Sequence, residues 1–204
     1  RRRDGYGGSL ENRARLAIEI AREVRKRVGR GVALTAKLSM TDGIWNSIWV
    51  DEALKTAKML DEDNQLDAIE LTQGSSVWRP MLLFTGDIPS QGFSELFAWQ
   101  FSPFRWMEKP MYWAARALTP PVIGPVALGK YPFEEMYMLK HARQFVGEMK
   151  KNNTKLILLG GISKYEHMEK AMKEGFDFVA MGRPLIREPD LIRQIQKDHS
   201  TESK

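Results

Sequence analysis

Segments with helical spacing and segments with strand-like alternation take turns along this chain, and no two strand-like segments follow one another directly. That order, helix–strand–helix–strand–insert–helix–strand–helix–strand–helix, fits an α/β fold with parallel strands, because each parallel pair needs a crossover between its members. Ser9 supplies an N-cap. Ala14, Ala17, Ile20, Ala21, Val24 and Val28 follow on one helical face, and Gly29 ends the helix. Val32–Ser39 reads as a strand and a helix follows around Asp51–Leu60. Leu66–Leu71 is a second strand. A long irregular stretch, 72–130, precedes a helix that Pro132 starts, with Glu134 and Glu135 in its first turn, and that is expected to run to about Lys150. Lys155–Leu159 is a third strand. Ser163-Lys164-Tyr165-Glu166 has the form of a capping box opening a helix that ends near Gly175. Asp177–Met181 is the fourth strand, and Glu188-Pro189-Asp190 opens a last helix.

The faces of these strands separate two architectures. On the first, Val32, Leu34, Ala36 and Leu38 share one side, while Ala33, Thr35, Lys37 and Ser39 share the other. Small and polar residues on one face with aliphatics on the other suit a TIM (β/α)8 barrel, whose inner face is lined by the former and whose helices cover the latter. Four strands are half of such a barrel, and 204 residues fall short of the roughly 250 that a whole one uses. An open four-stranded sheet is the alternative.

Charge narrows the range of partners. Residues 1–30 hold ten Arg and Lys against four Asp and Glu; the rest of the chain is close to neutral. Much of that surplus lies on one helix with acidic neighbours four residues away, Glu11–Arg15 and Glu23–Arg27, which is the pattern of a solvated face and not of a nucleic-acid surface. No apolar run approaches the roughly 20 residues of a membrane span. There is no cysteine, so disulfides and thiolate metal sites are excluded, and a cytoplasmic setting is expected. His141, His167 and His199 have no metal-ligand spacing.

Two late strand ends carry the chemistry. Leu159-Gly160-Gly161-Ile162 and Met181-Gly182-Arg183 each place glycine where a strand gives way to a helix, one strand apart. Glycine admits close approach to the backbone, a helix start favours an anion, and arginine binds one in bidentate fashion. In (β/α)8 proteins the loops after the last two strands form the common phosphate site. Lys37 lies near the end of its strand on the small-residue face, directed at the barrel mouth. It can neutralise an anionic cofactor atom, act as a Schiff-base nucleophile, or pair with Glu70 on the next strand. The 72–130 stretch contains Phe97, Phe101, Phe104, Trp106, Tyr112 and Trp113 and reads as an inserted loop or helical lid over the catalytic face, or a small helical subdomain.

The opening residues carry a resemblance. Arg3-Asp4, then Tyr6-Gly7-Gly8-Ser9-Leu10-Glu11-Asn12-Arg13, resemble the signature of the old yellow enzyme family of NAD(P)H:flavin oxidoreductases. Ala36-Lys37-Leu38-Ser39, Leu159-Gly160-Gly161-Ile162 and Met181-Gly182-Arg183-Pro184 then match, in family order, the fifth, seventh and eighth barrel strands. The resemblance implies that the chain is the C-terminal half of one FMN-binding barrel domain, with 72–130 inserted. It implies FMN as cofactor and NAD(P)H as reductant, with hydride passing to a small-molecule substrate, an activated alkene or enone. Lys37 would face the pyrimidine side of the flavin, Gly161, Gly182 and Arg183 would hold its phosphate, and Gly160 would be a further cofactor-binding residue. No catalytic residue is expected within the chain: the pair that holds the substrate carbonyl and the acid would precede Arg1. Two other readings remain: a phosphate-binding aldolase using Lys37 as a Schiff base, and a non-catalytic half-barrel whose open edges pair with another copy in a homo-oligomer.

Overall fold

The computed structural model describes residues 2–75 and 133–203. Helix α1 spans Leu10–Val28, β1 Thr35–Ser39, α2 Val50–Asp63 and β2 Ala68–Thr72. After the undescribed residues come a single helical turn, α3 (Leu139–Ala142), a 3-10 turn (Arg143–Phe145) and β3 (Lys155–Leu159). The chain then forms α4 (Tyr165–Glu174), β4 (Phe178–Ala180), α5 (Arg183–Arg187) and α6 (Leu191–Lys197).

The four strands form one all-parallel sheet in the order β1-β2-β3-β4. Each strand pairs with the next in sequence, as in a barrel wall. A doubly wound sheet reverses direction at a switch point, and this one does not. The register aligns Lys37 with Glu70, Glu70 with Ile157 and Ile157 with Phe178, so these four share a face. The adjacent row, Leu38, Leu71, Leu158 and Val179, faces the helices. Ile69, Leu71 and Leu158 are fully buried there against Ala53 and Ala57 of α2 and Ala171 of α4. Small residues on the helices let them approach the sheet closely, which is why the aliphatic strand residues can fill the layer between. The opposite face remains open: Phe178 is 55% exposed and the Lys37 side chain 57%.

Two buried polar groups fix the connections. Arg25 of α1, 5% exposed, donates to the carbonyl oxygens of Gly29, Val32 and Gln65 and to the Asp67 carboxylate, tying the end of α1 to the starts of both β1 and β2. Asp61 of α2, 2% exposed, accepts from the backbone N–H groups of Lys151, Asn152 and Thr154 and from the Thr154 hydroxyl at 2.6 Å. Burial alone would raise the pKa of this carboxyl. The Thr154 hydroxyl and the three backbone donors outweigh burial and hold it below the usual carboxylate range.

Several expectations need correction. The first strand begins at Thr35 and not Val32, and the second extends to Thr72, into the expected insert. The helix expected from Pro132 to about Lys150 is reduced to α3 and its 3-10 turn. Its intended first turn is diverted, because Met136 takes a left-handed φ of 52° and donates its N–H to the Gly161 carbonyl, and Gly147 at φ 75° breaks the far end. The capping box does not form. Lys164, without a side-chain cap bond, is the N-cap of α4, and the Ser163 N–H donates instead to His167 Nδ1. Glu23 pairs with Arg27 at 2.8 Å as expected, but Arg15 turns to the Asn12 side chain and not to Glu11. The aromatic stretch read as a lid or subdomain lies, from residue 76 onward, outside the described residues, as does Pro132.

Candidate functional site

The C-terminal ends of all four strands open into one cavity of about 670 Å³. Lys37, Gly160, Gly161, Gly182 and Arg183, the five residues singled out from sequence, all line it. Thr72, Leu159 and Ala180 supply its sheet-side lining, with Tyr137, Met138 and Pro184 around the glycine turns. The cations are supplied by different parts of the fold: Lys37 from β1, at one edge of the sheet, and Arg183 and Arg187 from α5, after β4 at the other. Lys37 Nζ sits 2.9 Å from Glu70 Oε1, the ion pair that the strand faces implied.

The glycines divide into two kinds. Gly160 and Gly161 have φ of 99° and 69°, which side-chain-bearing residues rarely adopt. A Cβ on Gly160 would lie 2.8 Å from Met138 Cγ, and one on Gly161 would lie 2.6 Å from the Met136 backbone nitrogen. The space that glycine leaves at these two positions is therefore filled by the chain's own 134–138 segment. Gly182 differs: φ is −101°, and a Cβ there would meet nothing within 4 Å. Of the three, Gly182 is the position with room for a ligand against the backbone.

Segment 134–138 is pinned in place. Besides the Met136–Gly161 bond, Glu135 lies 2.9 Å from both Lys164 Nζ and His167 Nε2. Because His167 Nδ1 accepts from Ser163, its Nε2 carries the proton and donates to Glu135. The Lys164 contact, then the His167 contact, hold the Glu135 carboxyl below its ordinary range. Tyr137, standing on this segment, lays its ring on the glycine turn. Burial raises the Tyr137 phenol above its usual value, against the opposing pull of the Arg183 charge. Tyr137 was not among the sequence candidates. The glycine turn it packs on lies more than 20 positions away, and no local motif marks it.

Among the described residues there is no cluster of three metal-ligating side chains, and no helix is long and apolar enough to cross a membrane.

Sequential parallel strands, an outer helical layer and a cavity at the carboxyl ends of the strands are the architecture of part of a (β/α)8-barrel wall. The NADH:flavin oxidoreductase / NADH oxidase family model matches residues 1–77. Over 198 residues the chain is 38% identical to the 4,4'-dithiodibutanoate disulfide reductase of Rhodococcus erythropolis, covering 97% of this chain and 45% of that protein. It is 25% identical over 203 residues to an NADH oxidase of Thermoanaerobacter brockii, covering 99% of this chain and 24% of the relative. The histamine dehydrogenase structure from Rhizobium sp. 4-9 shares the fold, with a TM-score of 0.63 at 21% identity over 97% of this chain and 22% of that one. Through residues 1–77 and through these relatives, the chain is similar to the NADH:flavin oxidoreductase / NADH oxidase family, the old yellow enzyme family. It spans less than half the length of these curated relatives. FMN is the cofactor that this similarity implies.

Proposed function

We propose that this chain supplies the fifth to eighth strands of an FMN-dependent oxidoreductase barrel, and that the cavity at its strand ends holds the flavin. The observation that carries this reading is the convergence of Lys37, Gly160, Gly161, Gly182 and Arg183 on one cavity, with cations contributed from opposite edges of the sheet. The donor set suits an elongated ligand with an anionic end. Arg183 offers a bidentate fork for phosphate, and the clear space at Gly182 lets that group approach the backbone. Lys37 stands where it stabilises negative charge on the pyrimidine side of the ring, and Glu70 holds its ammonium in place. FMN, once bound, supplies the hydride chemistry between NAD(P)H and the substrate. The chain's own residues bind it, orient it and tune its charge. The substrate of this reading is an activated alkene or enone, and the groups that hold its carbonyl and protonate it belong to the first four strands of the barrel.

Titration of the purified protein with FMN, followed by addition of NADH or NADPH under anaerobic conditions, tests the reading. Saturable FMN binding and bleaching of the flavin absorbance by a nicotinamide are expected. Absence of FMN binding would remove the flavin from the cavity. Borohydride trapping of a carbonyl compound on Lys37 would then favour the Schiff-base alternative.

A further inference from the structure

We propose that residues 198–203 form a strap that gates the cavity: docked, it closes the side between the start of α4 and the end of α5, and ligand enters and leaves when it lifts. This role rests on the reading of the cavity as the FMN site and adds to it the control of exchange.

After α6 the chain turns back on the fold. One carboxylate oxygen of Asp198 accepts from the Ser200 N–H at 2.9 Å and from the Ser200 hydroxyl at 2.7 Å, and the Asp198 carbonyl accepts from the Thr201 N–H. An aspartate that bonds its own backbone two residues on makes such a reversal locally stable. Three contacts then seat the strap. The His199 ring stacks on Tyr165, with centroids 3.9 Å apart and planes 11° apart. Glu202 forms an antiparallel bridge with Lys164, and the Ser203 N–H donates to the Ser163 carbonyl at 3.0 Å. The Ser203 hydroxyl donates to Glu188 Oε1 at 3.2 Å, just past α5. The strap therefore joins the elements that follow β3 and β4, and Glu202 and Ser203 become part of the cavity wall together with Ser163, Arg183 and Arg187.

Its hold is light. Residues 198, 199, 200 and 202 are exposed, and 201 and 203 are half-buried, so no buried apolar surface backs the contacts. Hydrogen bonds open to water and one exposed ring stack contribute little net stability. The sheet beneath is held by buried Leu156 and Leu158 and opens only with the fold as a whole, whereas the strap can lift by itself. A piece of cavity wall that opens without disturbing the rest of the cavity controls passage into it.

Exchange of FMN on the full chain tests the gate. Ser203→Pro removes the N–H given to Ser163 and the hydroxyl given to Glu188, and His199→Ala removes the stack. Each variant is expected to release FMN about five- to ten-fold faster than the parent, read by stopped-flow flavin fluorescence. Thermal unfolding confirms that the variants compared are folded. Hydrogen exchange of the parent gives a second reading: the Ser203 amide is expected to exchange at least about 100-fold faster than the amides of β3, and to slow when FMN fills the cavity. Release rates equal to the parent's in both variants, or a Ser203 amide as protected as β3 and indifferent to FMN, would overturn the gate while leaving the flavin site standing. A parent protein that binds no FMN would overturn both.

Discussion

At the scale of single residues, burial and partner number decide which side chains matter. Asp61 accepts four hydrogen bonds from the segment that leads into β3, and α2 has no other polar anchor of this kind among the described residues. Asp61→Ala leaves those donors unpaired and is expected to cost about 3 kcal/mol of stability, measured by denaturant unfolding. The carboxyl's pKa is lowered in the folded chain, so its contribution is complete above the unfolded value of about 4 and disappears as the pH falls through the lowered one. Asp61→Asn should therefore be less stable than the parent at pH 7, and the gap should close in the acid range. The Lys37 side chain is mostly exposed and pairs, among the described residues, with Glu70, so its loss should cost little stability. Lys37→Met is expected to slow bleaching of bound flavin by NAD(P)H about ten-fold or more in stopped-flow measurements, with little change in melting temperature.

At the scale of elements, the glycine turns make the sharpest contrast. Gly161→Ala combines a positive φ with a backbone collision at Met136 and is expected to lose more than about 1 kcal/mol, read by thermal unfolding. A Cβ at Gly182 meets nothing within 4 Å among the described residues, so the stability of Gly182→Ala should stay within about 0.5 kcal/mol of the parent while FMN affinity falls. If both substitutions acted through stability alone, Gly182 would not be a ligand-approach position. The same elements show what a sequence can and cannot convey. Ser9 and Gly29 bound α1 as read, because a cap acts within one turn and its signal is local. Lys155–Leu159 also matched, since an aliphatic run flanked by polar residues specifies a buried strand without outside help. The 134–150 segment misled because its conformation answers to Gly161, far away in sequence: Met136 surrenders its helical bond to that carbonyl. Tyr137 and the His167 bond to Ser163 were invisible for the same reason, being defined by tertiary neighbours. The Lys37–Glu70 pair was legible because strand register and face follow from a period of two.

At the scale of the whole molecule, the described sheet has its first strand and its last at open edges, with an inner face that bears Lys37, Glu70, Ile157 and Phe178. A barrel removes such edges by closure. The isolated chain is expected to self-associate, giving a species heavier than 23.4 kDa in sedimentation velocity; a monodisperse monomer would show that residues of this chain cover the edges themselves. The cavity where five residues from three separate motifs meet is tested most directly by a titration of the chain with FMN followed by flavin fluorescence. Saturable binding is expected, tighter for FMN than for riboflavin and losing this preference in Arg183→Met. Binding that ignores the phosphate, or no saturable binding at all, would contradict it.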